Sequence, residues 1–157
     1  MKHFSTHSKI WIYFSSAPIK GEKKDFVSSK LEHFCKDWTA HNQQLKSSFD
    51  IIDEQFIVLC VDESQNTATG CSIDKSVHVL KEISSYLDVN LFDRMLLPFH
   101  NGNGVEYCHF QDISELYKNK SIIDETLFYD LSINFLSDLQ TDFKLPLKQH
   151  WLSKHLN

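Results

Sequence analysis

The sequence predicts an α+β fold, a two-layer α/β domain whose residues 1–99 form a ferredoxin-like β-α-β-β-α-β core. Three observations carry this expectation. Lys9 to Ser15 and the run FIVLCV at 56–61 are apolar on both alternating faces, as strands covered on both sides must be. Leu45 to Asp53 is apolar on one face only, and a fourth segment, MLLPF at 95–99, carries Pro98, which removes a ladder donor and suits an edge or a strand end. Two stretches with helical periodicity separate these segments in the required order. In the ferredoxin-like arrangement the first and third strands are the inner ones, and these are the two that are apolar on both faces.

Each element has its own signal. In the first strand Ile10, Ile12 and Phe14 share one face, and Trp11 and Tyr13 the other. Pro18 and Gly21 turn the chain into a helix from Glu22 to His41, where Val27, Leu31, Phe34 and Trp38 recur at helical spacing. Glu22 and Asp25 in its first turn complement the helix dipole. Asp53-Glu54 makes a tight turn between the second and third strands. The polar loop Glu63 to Gly70 leads to a second helix with Ile73, Val77, Leu80, Ile83 and Leu87 on its apolar stripe. Ser72 is its expected N-cap and Asp74 falls in its first turn.

A sheet with both helices on one face leaves the other bare, and Trp11 and Tyr13 are expected on the bare side. Residues 100–157 are therefore expected to cover or extend the sheet within a single domain, 1–157. They begin with HNGNG, a strong β-hairpin signal. A short helix from Asp112 to Lys118 follows, then a strand in TLFYDL at 126–131. A tail over Phe143 to Leu152 is expected to pack as a strap.

Composition excludes several functions. The net charge is −5, and of 16 basic residues only Arg94 is an arginine, so nucleic acid is a poor partner. The longest apolar runs are too short for a signal-peptide core or a membrane span. Four cysteines with no CxxC pair read as free thiols, and a cytoplasmic location follows. His33 with Cys35, and Cys108 with His109, lack zinc-motif spacing, so neither a metal nor a cofactor is expected.

The segments KIWIYFSS, DWTAHNQQLK, FIVLCVDES, TATGCSIDKSVH, LFDRM and PLKQHWLSKHL, in this order, resemble a family of small Bacteroidetes proteins of about this length. Its members often bear the label "ABC transporter ATPase". The residues do not support that activity. A phosphate-cradling loop needs GxxxxGK[ST], whereas this chain has four glycines in all and Gly70 is followed by Cys-Ser.

The most informative segment for function is Thr69-Gly70-Cys71-Ser72-Ile73-Asp74. Gly70 is expected to permit a backbone conformation or a close approach that a side chain would block. Cys71 beside a helix N-terminus is a candidate nucleophile, since such a position can lower a thiol pKa. His78 and His41 are the candidate bases. Thr69, Gly70, Ser72 and Asp74 could line an anion site at the same helix end. Two functions remain open: a binding or interaction protein, a homodimer or the subunit of a partner, with a small anion or a protein as its ligand, or a thiol-dependent enzyme or sensor centred on Cys71.

Overall fold

The computed structural model describes residues 1–156. Its elements run β1 (Lys9–Phe14), α1 (Glu22–Asp37), β2 (Thr39–Ala40), β3 (Gln43–Gln44), β4 (Lys46–Ile52), β5 (Phe56–Asp62) and α2 (Gly70–Leu87). The second half adds β6 (Leu96–His100), β7 (Val105–His109), α3 (Ile113–Lys118), β8 (Leu127–Tyr129), α4 (Asp138–Thr141) and β9 (Lys144–Pro146), with short 3₁₀ turns between them. Helices mixed with antiparallel sheets make this an α+β fold.

The strands divide into two main sheets, one of order β1-β5-β4 and one of order β7-β6-β8-β9, with β2-β3 as a separate small hairpin. The first sheet is antiparallel throughout, with Trp11 opposite Leu59 and Phe49 opposite Leu59 on the other side. β5 is central and every one of its residues is buried, which accounts for its unbroken apolar run.

Here the expected ferredoxin-like sheet is corrected. The first three strands take the order 1-3-2, but the fourth, β6, does not join β1. It pairs instead with β7 along its length and with β8 at Phe99 and His100. The Phe110 amide bonds to the Met95 carbonyl and the Asn101 amide to the Gly104 carbonyl. Odd-numbered β6 residues therefore bond to β7, and Pro98 faces the side on which it has no N–H to give.

The helices and the C-terminal region cover opposite faces of the first sheet. Tyr13, Ile57 and Leu59 pack with Val27 and Leu31 of α1 and with Leu80, Ile83 and Leu87 of α2. On the other face Ile10, Ile12, Phe14, Phe56 and Val58 pack with Tyr129 and Phe143, flanked by Leu131, Ile133 and Leu136. The bare face is thus the one bearing Ile10 and Ile12, not the one bearing Trp11 and Tyr13. Each large side chain so buried contributes about 1.5–3 kcal/mol.

Turn chemistry shapes the joints. Asp53 and Glu54 both adopt positive φ, 49° and 58°, which matches a two-residue hairpin turn. The Tyr129 hydroxyl donates to Asp53 Oδ2 at 2.9 Å and ties that turn to β8. At the β6–β7 tip, Asn101 Oδ1 accepts from the amides of Asn103 and Gly104. α1 ends at Asp37, four residues before the expected His41, because Trp38 leaves the helix in extended conformation and its side chain is buried.

Candidate functional site

The structure gathers part of the expected site. Cys71, Asp74 and His78 line one surface hollow of about 470 Å³, walled by Phe34, Asp37, Trp38, Lys75 and Val79. Cys71 is exposed. His78 is directed elsewhere: its Nε2 lies 3.5 Å from Glu82 Oε1, and Glu82 also binds Lys30 at 2.8 Å. That lysine holds the Glu82 carboxyl below its usual range. Among the described residues no hydrogen bond joins the Cys71 thiol to a base. His41 sits apart in the turn between β2 and β3, with φ 50°, and does not line the hollow.

The helix end itself differs from expectation. Thr69, not Ser72, is the N-cap of α2, and its hydroxyl accepts from the Ser72 amide at 3.3 Å. Ser72 Oγ accepts in turn from the Thr69 amide at 2.7 Å, closing a capping box. Thr69 stands three positions before Ser72, a spacing as visible in the sequence as Ser72 itself; Ser in place of Glu at the third position masked it. Ser72 is buried, and its carbonyl accepts from Trp38 Nε1 at 2.7 Å. Asp74 consequently falls beyond the first turn, where no acidic residue stands. Gly70 has ordinary backbone conformation, and a Cβ there would meet nothing within 4 Å. The expected steric need for glycine is therefore absent.

A second cavity was not foreseen. It encloses about 470 Å³ between β1 and β6, where a fourth strand of the first sheet would lie. Its walls are mainly apolar, from Ile10, Ile12, Leu96, Leu97, Leu131 and Ile133. Two large apolar side chains stand exposed among its lining residues, Met95 at 58% and Trp151 at 42%. Polar groups converge on the same cavity. The Arg94 guanidinium donates from Nη1 to the Ile12 carbonyl at 3.2 Å and lies 5.6 Å from the Tyr13 ring centroid. It makes no ion pair among the described residues. Asp130 accepts through Oδ1 from the amide and hydroxyl of Ser132.

His150, also in this lining, is only 2% exposed. Its Nδ1 accepts from the Leu152 amide at 3.3 Å, so the neutral ring carries its proton on Nε2. That Nε2 is buried with no hydrogen-bond partner among the described residues. Burial pushes the His150 pKa down, opposed by the Asp130 charge and by a hydrogen-bond interaction with the Tyr129 backbone, whose carbonyl meets the ring outside full hydrogen-bond geometry. A buried donor held outside good hydrogen-bond geometry is under-satisfied, and it marks a place where a better-placed ligand acceptor gains. The sequence signal available was slight: the lone arginine, and a histidine beside Trp151 in the tail.

Among the described residues no group of three or more His, Cys, Asp or Glu is placed to hold a metal ion. No helix is long and apolar enough to cross a membrane. No family model matches the chain, and neither a curated protein nor a solved structure matches it.

Proposed function

We propose that this chain is a small cytoplasmic binding protein without ATPase activity, and that its ligand enters the cleft between β1 and β6. Three strands and two helices form an incomplete ferredoxin-like unit, and the cleft occupies the position of the missing strand. The observation that carries the reading is the convergence of an unpaired Arg94 and a donor-only His150 Nε2 on an otherwise apolar cavity. A largely apolar cavity with few, convergent polar groups is the form that ligand sites take. The donors favour an amphipathic molecule whose acceptor end is a carboxylate or carbonyl. The resemblance to proteins labelled as ATPases carries no weight against this, since no segment can wrap a triphosphate.

The test is a thermal-shift panel of alkyl carboxylates, apolar amino acids, short apolar peptides and Mg-ATP. An amphipathic member should raise Tm, and Met95→Lys at the cleft should weaken its effect. ATP should give no shift and no phosphate release. A Mg-dependent ATPase rate that survives several columns and vanishes in Gly70→Val overturns the reading.

A thiol-dependent role for Cys71 is the second reading, favoured by one observation: the thiol is exposed in a hollow shared with His78. It is the weaker reading, because His78 is engaged by Glu82.

A further inference from the structure

The last turn of the chain joins the fold through a hinge. His150 stands in extended conformation, φ −79° and ψ 150°, between two 3₁₀ turns, Leu147–Gln149 and Trp151–His155. Before the hinge the backbone is tied down: the Leu147 amide donates to the Thr126 carbonyl and the Lys148 amide to the Asp124 carbonyl. Beyond it the ties are few. Among the described residues a single hydrogen bond joins residues 151–155 to the fold ahead of the hinge, from the Ser114 hydroxyl to the His155 carbonyl at 3.1 Å, and it is exposed. Leu152 is the one buried side chain of this tail. Trp151 stacks on Phe110, with 6.4 Å between ring centroids, and lines the cleft.

The cap of the tail is also the place where a proton would go. His150 Nδ1 accepts from the Leu152 amide and so caps the turn. Because the neutral ring carries its proton on Nε2, an added proton has only Nδ1 to take, and both nitrogens are then donors. An Nδ1–H would face the Leu152 N–H, donor against donor, in a site almost closed to water. The side of the ring toward β8 tolerates the charge: the Asp130 charge and the Tyr129 backbone both favour it. Phe128 and Trp151 are the aromatic neighbours, and Arg94 is the cation in the same cavity lining. The misfit of a charged ring thus falls on the tail.

We propose that residues 151–155 form an acid-released flap on the cleft between β1 and β6, hinged at His150. On protonation the ring gives up the Leu152 amide, the turn loses its cap, and Trp151 leaves the cleft wall. The sign follows from the surroundings of the ring. Burial holds the folded pKa below 6.5, and release of the tail exposes the ring, so the open form binds more protons. The open population is level above 6.5 and grows as pH falls from there toward the folded value, by at most about tenfold per pH unit. Release of one turn costs less than unfolding a sheet, so it comes first. The effect of the flap on a ligand rests on the reading of the cleft above; the hinge itself does not.

The experiment follows amide hydrogen exchange of the full chain by NMR from about pH 7.5 to about pH 5, each rate corrected for its intrinsic value. The Leu152 and Ser153 amides should lose protection, toward about tenfold for each pH unit below the ordinary histidine value, while Val58 and Leu59 in β5 keep theirs. His150→Asn retains a side-chain acceptor for the Leu152 amide but cannot titrate, and should hold protection level. His155→Gln removes the other histidine of the tail, which packs against Phe110 and Trp151, and should keep the slope of the native protein. A level profile in the native protein overturns the flap, as does a slope that persists in His150→Asn. A parallel loss in β5 overturns it too, since the whole molecule is then unfolding. Octanamide, uncharged across this range, should bind the native protein less tightly in acid, because Trp151 has left the wall. Equal affinity at both ends of the range, with a titrating tail, overturns the role of the flap at the cleft. No octanamide binding at either end, with a titrating tail, defeats the cleft reading and leaves the flap standing.

Discussion

The indole of Trp38, the first residue beyond α1, donates a 2.7 Å hydrogen bond to the carbonyl of Ser72 in the first turn of α2. One side chain thus joins the end of one helix to the beginning of the other. Both residues are almost fully buried, at 1% exposure each. Replacement by phenylalanine keeps an aromatic ring but removes the donor and leaves a small void. Trp38→Phe should lose about 1–3 kcal/mol of stability with an unchanged denaturant slope, measured by urea unfolding. An unaltered midpoint would show that the bond contributes nothing.

Gly70 offers a prediction of opposite sign. It is the first residue of α2, exposed, without positive φ and with open space where a Cβ would go. Gly70→Ala should therefore raise stability by about 0.4–1 kcal/mol, through fewer unfolded conformations. A fall in Tm on calorimetry would reveal a steric role that the geometry does not contain.

The four thiols should separate under a labelling reagent. Cys71 is exposed and Cys60 is fully buried in β5, with its pKa pushed up to about 11 by burial. Cys35 and Cys108 are half-buried with raised pKa values, that of Cys108 about 11. One fast thiol at neutral pH, assigned to Cys71 by peptide mapping, is the expected result. A reaction that inflects below the range of a model thiol would favour the enzyme reading over the binding one. An ordinary inflection leaves Cys71 as an accessible surface residue.

His150 predicts a pH dependence of stability. Its folded pKa lies below the unfolded value, so the unfolded chain binds more protons in the interval between the two. Stability is therefore complete above the unfolded pKa and falls as pH drops through it toward the folded value. The ring is apolar in its packing, with Phe128 6.0 Å and Trp151 5.4 Å away between ring centroids. His150→Phe should flatten the urea midpoint between pH 5 and pH 7 relative to the native protein, as a direct comparison of the two curves. An equal slope in both proteins would place the pH dependence elsewhere. Asp62 is the natural alternative at lower pH, because Lys46 holds its carboxyl well below the usual range.

Much of the first sheet was legible because burial on both faces leaves an unmistakable apolar run. β1, β5, both long helices and the hairpin turns at Asp53 and Asn101 stood close to their expected places. The partner of the fourth strand was not legible. Its residues allow either sheet, and nothing local in them records that β7 and β8, not β1, are the partners. The exchange of faces on β1 has a similar cause: Ile10 and Ile12 are as apolar as Trp11 and Tyr13, so alternation says that two faces exist but not which one meets the helices. At the candidate site, chemistry could be read where residues adjoin in sequence, as from Thr69 to Asp74. It could not be read where Arg94 and His150 come to line one cavity from distant parts of the chain, because nothing local marks either.

The burial of Ile10, Ile12, Phe14, Phe56 and Val58 beneath Tyr129 and Phe143 also has a consequence for synthesis. On a ribosome, the three strands that display this face are complete once Asp62 has been made. Phe143 arrives about 80 residues later, a delay of roughly 4–16 s at about 5–20 residues per second. Throughout that interval the residues that cover this face in the mature fold have not all been added to the chain. The hazard for this protein thus belongs to its translation, and slow codons between β5 and β8 would lengthen it without altering one atom of the mature fold.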